Sequence, residues 1–503
     1  MTEDAEERPI VATRQGHEVT DGQSSRTAGG RGPATSAAHR LQEQARHLDL
    51  VDREGSPQRA PAPRTATRDR ALAVVTDIHA RLASRGEDVP LRLWDGRELG
   101  RPTADFRLVL NHPWSLRALL LPPTDLAAGE AYLAGDVDVE GSMVAAMREL
   151  SGLTDRLGRA GLAAFAARLL RLPRPPDDGR RAGRPALHGR RHSRSRDAAA
   201  VRHHYDQEVG FFRCFLDPAL VYSCGYFAEA DRTAPPTDRD ALARAQRRKL
   251  ELVCRKLALR PGERFLDVGC GWGALVEHAA RHHGVEAVGV TLSPPQAAIA
   301  RERIAAAGLA DRVRIEVCDY RDVEGTFDAI ASVGMVEHVG SDQLPTYAAS
   351  LFDLLRERGR LLNHGITTGR RDVVREISRD RRSFVGRYVF PDGALVPLHH
   401  TVRVLQRAGF EIWDVEQLRP HYALTCEHWV ANLEASAAEA QRLAGDRAFR
   451  IWRAYLAGSS LSFAKGDLGV VQVLATRGPG DLPFGRDRML SLASSAGPPG
   501  TTP

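Results

Sequence analysis

Cysteine, lysine and aromatic residues are all scarce in this chain, and each scarcity excludes something. The six cysteines among 503 residues, at 214, 224, 254, 270, 318 and 426, contain no CxxC pair and no regular spacing. That pattern excludes a disulfide framework, carries no zinc signature and fits a reducing cytoplasm, so no metal is expected. Only three of the 70 basic residues are lysine, and the net charge of +6 is therefore arginine charge. Such a charge suits an anionic surface, nucleic acid or phospholipid headgroups, although arginine bias can equally be genomic composition. Aromatic residues are 6% of the chain and absent from its first 68 positions. No run of 18 apolar residues occurs, and the amino terminus is polar without an apolar segment. Neither a membrane span nor a secretion signal is expected.

Composition divides the rest. Residues 1–68, rich in Arg, Glu, Gly, Ser, Thr and Ala, are expected to be a disordered tail. Residues 69–172 read as a smaller α+β domain, with a helix from Arg70 and strand-like pieces LRLWDG and DFRLVL. Within it, Ser151–Pro173 is an amphipathic, arginine-punctuated helix that either touches a membrane surface or packs on the neighbouring domain; packing is the expectation. Residues 173–197 are a basic linker rich in Pro, Gly and Arg, 198–480 the catalytic domain, and 481–503 a second disordered tail. There is no internal repeat.

The most informative stretch is Phe265–Gly273, FLDVGCGWG. An apolar run ends in Asp267 and then in Gly269, Gly271 and Gly273, as when a buried strand turns into a helix and leaves its backbone bare for a cofactor. The spacing G-x-G-x-G is tighter than the dinucleotide G-x-G-x-x-G and points to S-adenosylmethionine; the bland reading is a tightly packed turn. Strands VEAVGV, VRIEVCDY and FDAIAS follow, alternating with helical segments. That alternation predicts an α/β, Rossmann-like domain, mostly parallel, with helices on both faces.

Polar residues collect where these strands end. They include Thr291 to Gln296 (TLSPPQ), Asp319-Tyr320-Arg321, Met335 to Gly340 (MVEHVG) and His364 of the strand RLLNHGIT. Glu337 and His338 are adjacent and cannot ligate a metal from one helix face. A carboxylate beside a sulfonium makes electrostatic sense, yet alone they read as a surface carboxylate and a helix-end histidine. Upstream lie His204-Tyr-Asp206 and the segment VYSCGYF (Val221–Phe227), a candidate lid. Gln246 and Lys249 read as a solvated helix face. LGVVQVL near the end would complete the sheet.

Eleven collinear segments across about residues 85–475 resemble the cyclopropane-fatty-acyl-phospholipid synthase family, including its relatives that modify mycolic acids. They are GEAYLAGDVDVEGSM, HYD, YSCGYF, AQ-x-x-K, FLDVGCGWG, TLSPPQ, SVGMVEHVG, LLNHGIT, RYVFPDG, HYALTCEHW and SFAKGDLGVVQV. The resemblance implies methyl transfer from S-adenosylmethionine to the cis double bond of an acyl chain, with bound bicarbonate as the proton-abstracting base. It maps the bicarbonate cradle onto Cys224, Glu337, His364, Ile366 and Tyr422. It maps cofactor contacts onto Tyr222, Ser223, Asp267, Gly269, Gly271, Gly273, Thr291, Leu292, Gln296, Tyr320 and Arg321. Cys224 would be a ligand near an anion, with no covalent acyl-enzyme.

The N-terminal domain resembles the lipid-binding domain of the phospholipid-acting members, so the expected substrates are unsaturated acyl chains of membrane phospholipids. The enzyme would sit in the cytoplasm, peripherally on the anionic inner face of the membrane. Ring closure is the family default and a methylene-branched chain the runner-up, the local sequence around His364 resembling that of members that make the latter. A homodimer and, for a methylene product, a reductase partner remain open. Two rivals stand beside this reading. A non-catalytic lipid-binding protein would fail to bind the cofactor. A nucleic-acid methyltransferase lacks support, since no N/D-P-P-Y/F motif occurs and the basic cluster lies in a linker; no nucleic-acid partner is expected.

Overall fold

The computed structural model describes residues 65–102, 105–176, 196, 208–370, 374–376, 383–480 and 482. The expected tails, most of the linker and the HYD segment lie outside the described residues.

The first helix begins at Thr65, five residues before the expected Arg70, and ends at Ala83. A four-stranded sheet follows, formed by β1 (Leu91–Arg92), β2 (Glu98–Leu99), β3 (Phe106–Leu110) and β4 (Val137–Gly141), in the order β2-β1-β3-β4. β3 and β4 are antiparallel, and alternate residues of both are buried. The long helix Met143–Leu169 is capped by Ser142, whose hydroxyl accepts from Ala145 N at 3.2 Å. It begins eight residues before the expected Ser151 and packs against the helices Thr65–Ala83 and Ala437–Lys465.

A buried cation ties this sheet to the catalytic half. Arg453 donates to Val139 O at 3.0 Å, to Gly141 O at 2.7 Å and to Glu434 at 2.8 Å. A guanidinium has five donors in a fixed fork, so one side chain can satisfy strand-end carbonyls and a carboxylate at once.

The seven-stranded sheet runs β12-β13-β9-β8-β5-β6-β7. Its members are β5 (Arg264–Val268), β6 (Glu286–Thr291), β7 (Val313–Val317), β8 (Phe327–Val333), β9 (Leu355–Thr368), β12 (Phe410–Gln417) and β13 (Leu468–Arg477), while β10 (Arg375–Glu376) and β11 (Ala394–Leu395) pair separately. Strands β9-β8-β5-β6-β7 are parallel, and β13 is antiparallel to both its neighbours. The LGVVQVL strand joins this sheet as its last strand in chain order, as expected. It inserts between β9 and β12, and its nearly continuous burial follows from that central position. Two apolar clusters cover the two faces, one containing Phe265 and Ala329, the other Leu266 and Ile330; these are alternate residues of β5 and β8. No described helix is long and apolar enough to cross a membrane.

Candidate active site

The chain order reverses at β5, whose two neighbours are β6 and β8. A crevice opens at the carboxyl end of a parallel sheet at such a point, and here it is lined by the ends of β5, β6 and β8 and the turn after β7. Gly269, Gly271 and Gly273 have φ of 85°, 53° and 83°, backbone that side-chain-bearing residues rarely adopt. At Gly269 a Cβ would also meet Met335 Sδ at 2.6 Å, whereas at Gly271 it would meet nothing within 4 Å, so that glycine is required by its conformation. Gly273 starts the helix Ala274–His283 and packs on Ala300.

Ten of the eleven residues expected to contact the cofactor line this one cavity; Gly273 does not. The turn after β6 is self-braced: Thr291 Oγ1 donates to Gln296 Oε1 at 2.9 Å, and Ser293 caps the helix that Pro294 begins. Arg321 grips Asp319 with bonds of 2.7 and 2.5 Å, fixing the corner that carries Tyr320. Asp392 on the rim accepts from Arg196 at 2.6 and 2.9 Å, so a residue of the basic linker reaches the cavity mouth.

Gln246 and Lys249, which look like a solvated helix face in the sequence, are instead buried at 0% and 2% exposure. Gln246 Nε2 donates to Ser223 O at 2.9 Å and Lys249 Nζ to Ser223 Oγ at 3.0 Å. The helix Arg239–Lys256 thus clamps the YSC segment over the cavity. Burial lowers the Lys249 ammonium to about 8, opposed by Asp217 and Asp267. Burial likewise raises Asp267 to about 7, opposed by Lys249.

The five residues assigned to the anion cradle lie outside the cavity lining, next in sequence to it or on β9 and the following helices. Glu337 is half-buried with its carboxyl turned inwards, contrary to its reading as a surface carboxylate; the short helix Val336–Val339 that carries it packs on β9. Its Oε1 accepts from Ile366 N at 2.7 Å, while Oε2 is buried without a hydrogen-bond partner. Burial raises this carboxyl to about 7. His364 is two residues from Ile366 and so shares its face of β9. Directly across the strand pair stands Gln472, whose amide nitrogen lies 3.2 Å from His364 Nδ1. Burial, then Lys249 and Lys256, lower His364 to about 3, so the ring is neutral. With Gln472 donating to Nδ1, the ring proton resides on Nε2, a buried atom with no partner.

Burial drives the Cys224 thiol far up, which makes it a neutral group and no nucleophile. Tyr422 stacks on Phe463 at 4.5 Å, and burial holds its phenol well above the usual range. The scarce aromatics concentrate here. Tyr222 lies 5.1 Å from Trp429, which meets Tyr422 edge-on, and Trp452 bridges Phe212 to Tyr455. Such rings exclude water and present electron-rich faces.

A sequence model described as mycolic acid cyclopropane synthetase matches residues 192–473, more than half of the chain. The chain belongs to that family. It is 38% identical over 407 residues to a probable fatty acid methyltransferase of Pseudomonas putida, covering 79% of this chain and 95% of that one. The tuberculostearic acid methyltransferase UfaA1 of Mycobacterium tuberculosis is 33% identical over 438 residues, with 85% and 97% coverage. Among solved structures, the mycolic acid cyclopropane synthase CmaA1 complexed with SAH and CTAB matches at a TM-score of 0.50 and 31% identity, covering 56% of this chain and 98% of that one. This member of the mycolic acid cyclopropane synthetase family is an S-adenosylmethionine-dependent methyltransferase. Sequence reading missed Gln472 and Tyr455 as neighbours of the family site. Gln472 is a polar residue in an otherwise apolar strand, and that was the available signal.

Proposed function

We propose that this enzyme methylates the double bond of unsaturated fatty acyl chains, presented as membrane phospholipid. The observation that carries the reading is the pair of buried, unpartnered atoms, Glu337 Oε2 and His364 Nε2, beside a cofactor cavity and an aromatic wall. One is an acceptor and the other a donor. A small planar oxyacid such as bicarbonate, which carries both an O–H and acceptor oxygens, fits that combination. Glu337, His364 and the main chain of Ile366 would hold it, with Cys224 and Tyr422 closing the cradle.

Bound S-adenosylmethionine supplies an electrophilic methyl on a sulfonium, and bound bicarbonate a base for the proton that leaves. The chain's own residues do the rest. An alkene is a weak nucleophile, so rate must come from alignment and from excluding water. The clamp of Gln246 and Lys249 on Ser223 holds the entrance segment, and the aromatic wall keeps the reacting carbons dry. Tyr222, Trp429 and Trp452 would offer π faces to positive charge developing on the acyl chain, a favourable interaction for a desolvated cation.

Two products share this first step. Collapse of the cation onto the new carbon with loss of one of its protons gives a ring; a hydride shift followed by the same loss gives a methylene branch. The branched product is favoured by similarity to proteins named as fatty acid methyltransferases over about four-fifths of the chain, including the small-sheet region. Purified enzyme with methyl-labelled cofactor should label the acyl chains of oleoyl phospholipid vesicles and leave DNA unlabelled. Label in DNA, or binding of vesicles without any transfer, would contradict the reading.

A further inference from the structure

Three metal-ligating side chains converge on the far side of the two helices that bracket β5, with a carboxylate hydrogen-bonded to two of them, and the reaction described above uses none of the four. Glu251 and Cys254 are three residues apart on the helix Arg239–Lys256, which places them on one face. His278 and His283 come from the helix Ala274–His283. His278 Nε2 lies 2.9 Å and His283 Nε2 3.2 Å from the same atom, Glu251 Oε2. The Cys254 sulfur and one nitrogen from each of the two rings lie within 4.8 Å of one another. None of the four lines the cofactor cavity, although Lys249, Leu250 and Leu275 on the same helices do.

We propose that Cys254, His278, His283 and Glu251 form a structural site for a zinc-class divalent cation that staples these two helices together.

The donor set is one thiolate, two imidazoles and one carboxylate. That mixture suits a borderline-soft ion such as Zn²⁺, and four protein ligands make a closed site with no position left for substrate. Zn–S and Zn–N bonds of about 2.3 and 2.0–2.1 Å imply donor separations of roughly 3.3–3.6 Å in a tetrahedron. The sulfur and nitrogens therefore need contract by only about 1 Å around the ion. Without metal the cluster is an odd one: two imidazoles compete for a single carboxylate oxygen, while Arg255 occupies Glu251 Oε1. A divalent ion resolves that competition by taking both ring nitrogens and the carboxylate at once. Cys254 is completely buried and burial pushes its thiol far up. Binding must therefore expel the thiol proton, which makes affinity rise with pH. The partially exposed imidazoles, at 15% and 16%, give the ion an entry path. The cluster eludes cysteine-spacing rules because its single cysteine stands 24 residues before the first histidine ligand.

The test uses the full chain without a histidine tag. Elemental analysis after gel filtration should find about one zinc per chain. Chelated protein titrated with Co²⁺ should show the near-ultraviolet thiolate-to-cobalt charge-transfer band. Cys254→Ser should abolish the band. His278→Gln and His283→Gln should weaken binding by at least about 10–100-fold, the loss caused even by removing an outer partner of a metal ligand. His282→Gln, whose ring lies 4.6 Å from that of His278 but is not among the converging donors, should bind normally. Binding of S-adenosylhomocysteine by each variant checks that it folds. Wild-type protein that neither retains zinc nor gives the cobalt band overturns the proposal, as does a Cys254→Ser variant that binds cobalt equally well. Either result leaves the methyl-transfer reading untouched.

Discussion

Glu337→Gln is expected to lower kcat by about 10²–10⁴-fold, the range for losing a positioned acid–base group, here the bicarbonate that Glu337 would hold, while S-adenosylhomocysteine binds as before. Glutamine keeps the shape and can still accept from Ile366 N, but it loses the ionisable oxygen that has no partner. The wild-type rate should fall as pH drops through about 7, where this carboxyl takes up its proton, and the variant should lose that limb. A stability readout with the opposite sign separates this role from a structural one. The folded carboxyl sits at about 7 against an ordinary 4.5, so the native state holds the proton more tightly than the unfolded chain. Wild-type stability from this group therefore falls as pH rises from 4.5 towards 7. Above that window the glutamine variant should be more stable by about 1–3 kcal/mol, and near the lower bound equally stable. Denaturant titrations at both pH values measure it. Unchanged turnover in the variant would remove Glu337 from the reaction.

Lys249→Arg should be nearly as harmful to cofactor binding as Lys249→Met, each weakening it by about 10–100-fold, the worth of a hydrogen bond to a charged group. In a chain with only three lysines, a buried lysine marks a place where a compact ammonium is needed. A guanidinium is broader and stays charged, and it cannot reproduce the single bond to Ser223 Oγ between Asp217 and Asp267. Linkage again supplies an independent check. Lys249 titrates at about 8 when folded and at 10.5 when not, so the unfolded chain binds more protons between those values. Wild-type stability should gain as pH rises through that window, and Lys249→Met should lack the gain. Calorimetric titration of S-adenosylhomocysteine decides the first point; equal affinity in the arginine variant would show that Ser223 needs no ammonium.

The strand–turn–helix at FLDVGCGWG was legible because its chemistry is local: an apolar run, then glycines that the backbone itself demands. The polar residues at or just past the ends of β6 and β7, Thr291 and Asp319, were legible for the same reason, whereas His364 lies inside β9, which runs on to Thr368, and not at its end. What could not be read was pairing over long separations. Gln472 meets His364 across 108 residues and Cys254 meets His278 across helices, and nothing in the local sequence carries those distances. Lys249 was misread because a helix bearing many charges looks solvated. Its charged positions are unequal, with arginines facing outwards to Asp231 while Lys249 turns inwards to Ser223. Strand β13 was legible as a member of the sheet, but its place between β9 and β12 was not: its apolar pattern identifies a buried strand and not which neighbours bury it.

The central claim is that the methyl carbon of the cofactor ends in the acyl chain of a lipid. The most direct test is gas chromatography–mass spectrometry of lipids from a host expressing this chain, fed oleate and methyl-labelled methionine, after derivatisation of double bonds. The account predicts an oleoyl-derived chain one labelled carbon heavier. If that chain still adds across a double bond, the product is methylene-branched; if it resists, it is a ring. Labelled methionine that enters no acyl chain, while the purified protein binds S-adenosylhomocysteine, would contradict the account.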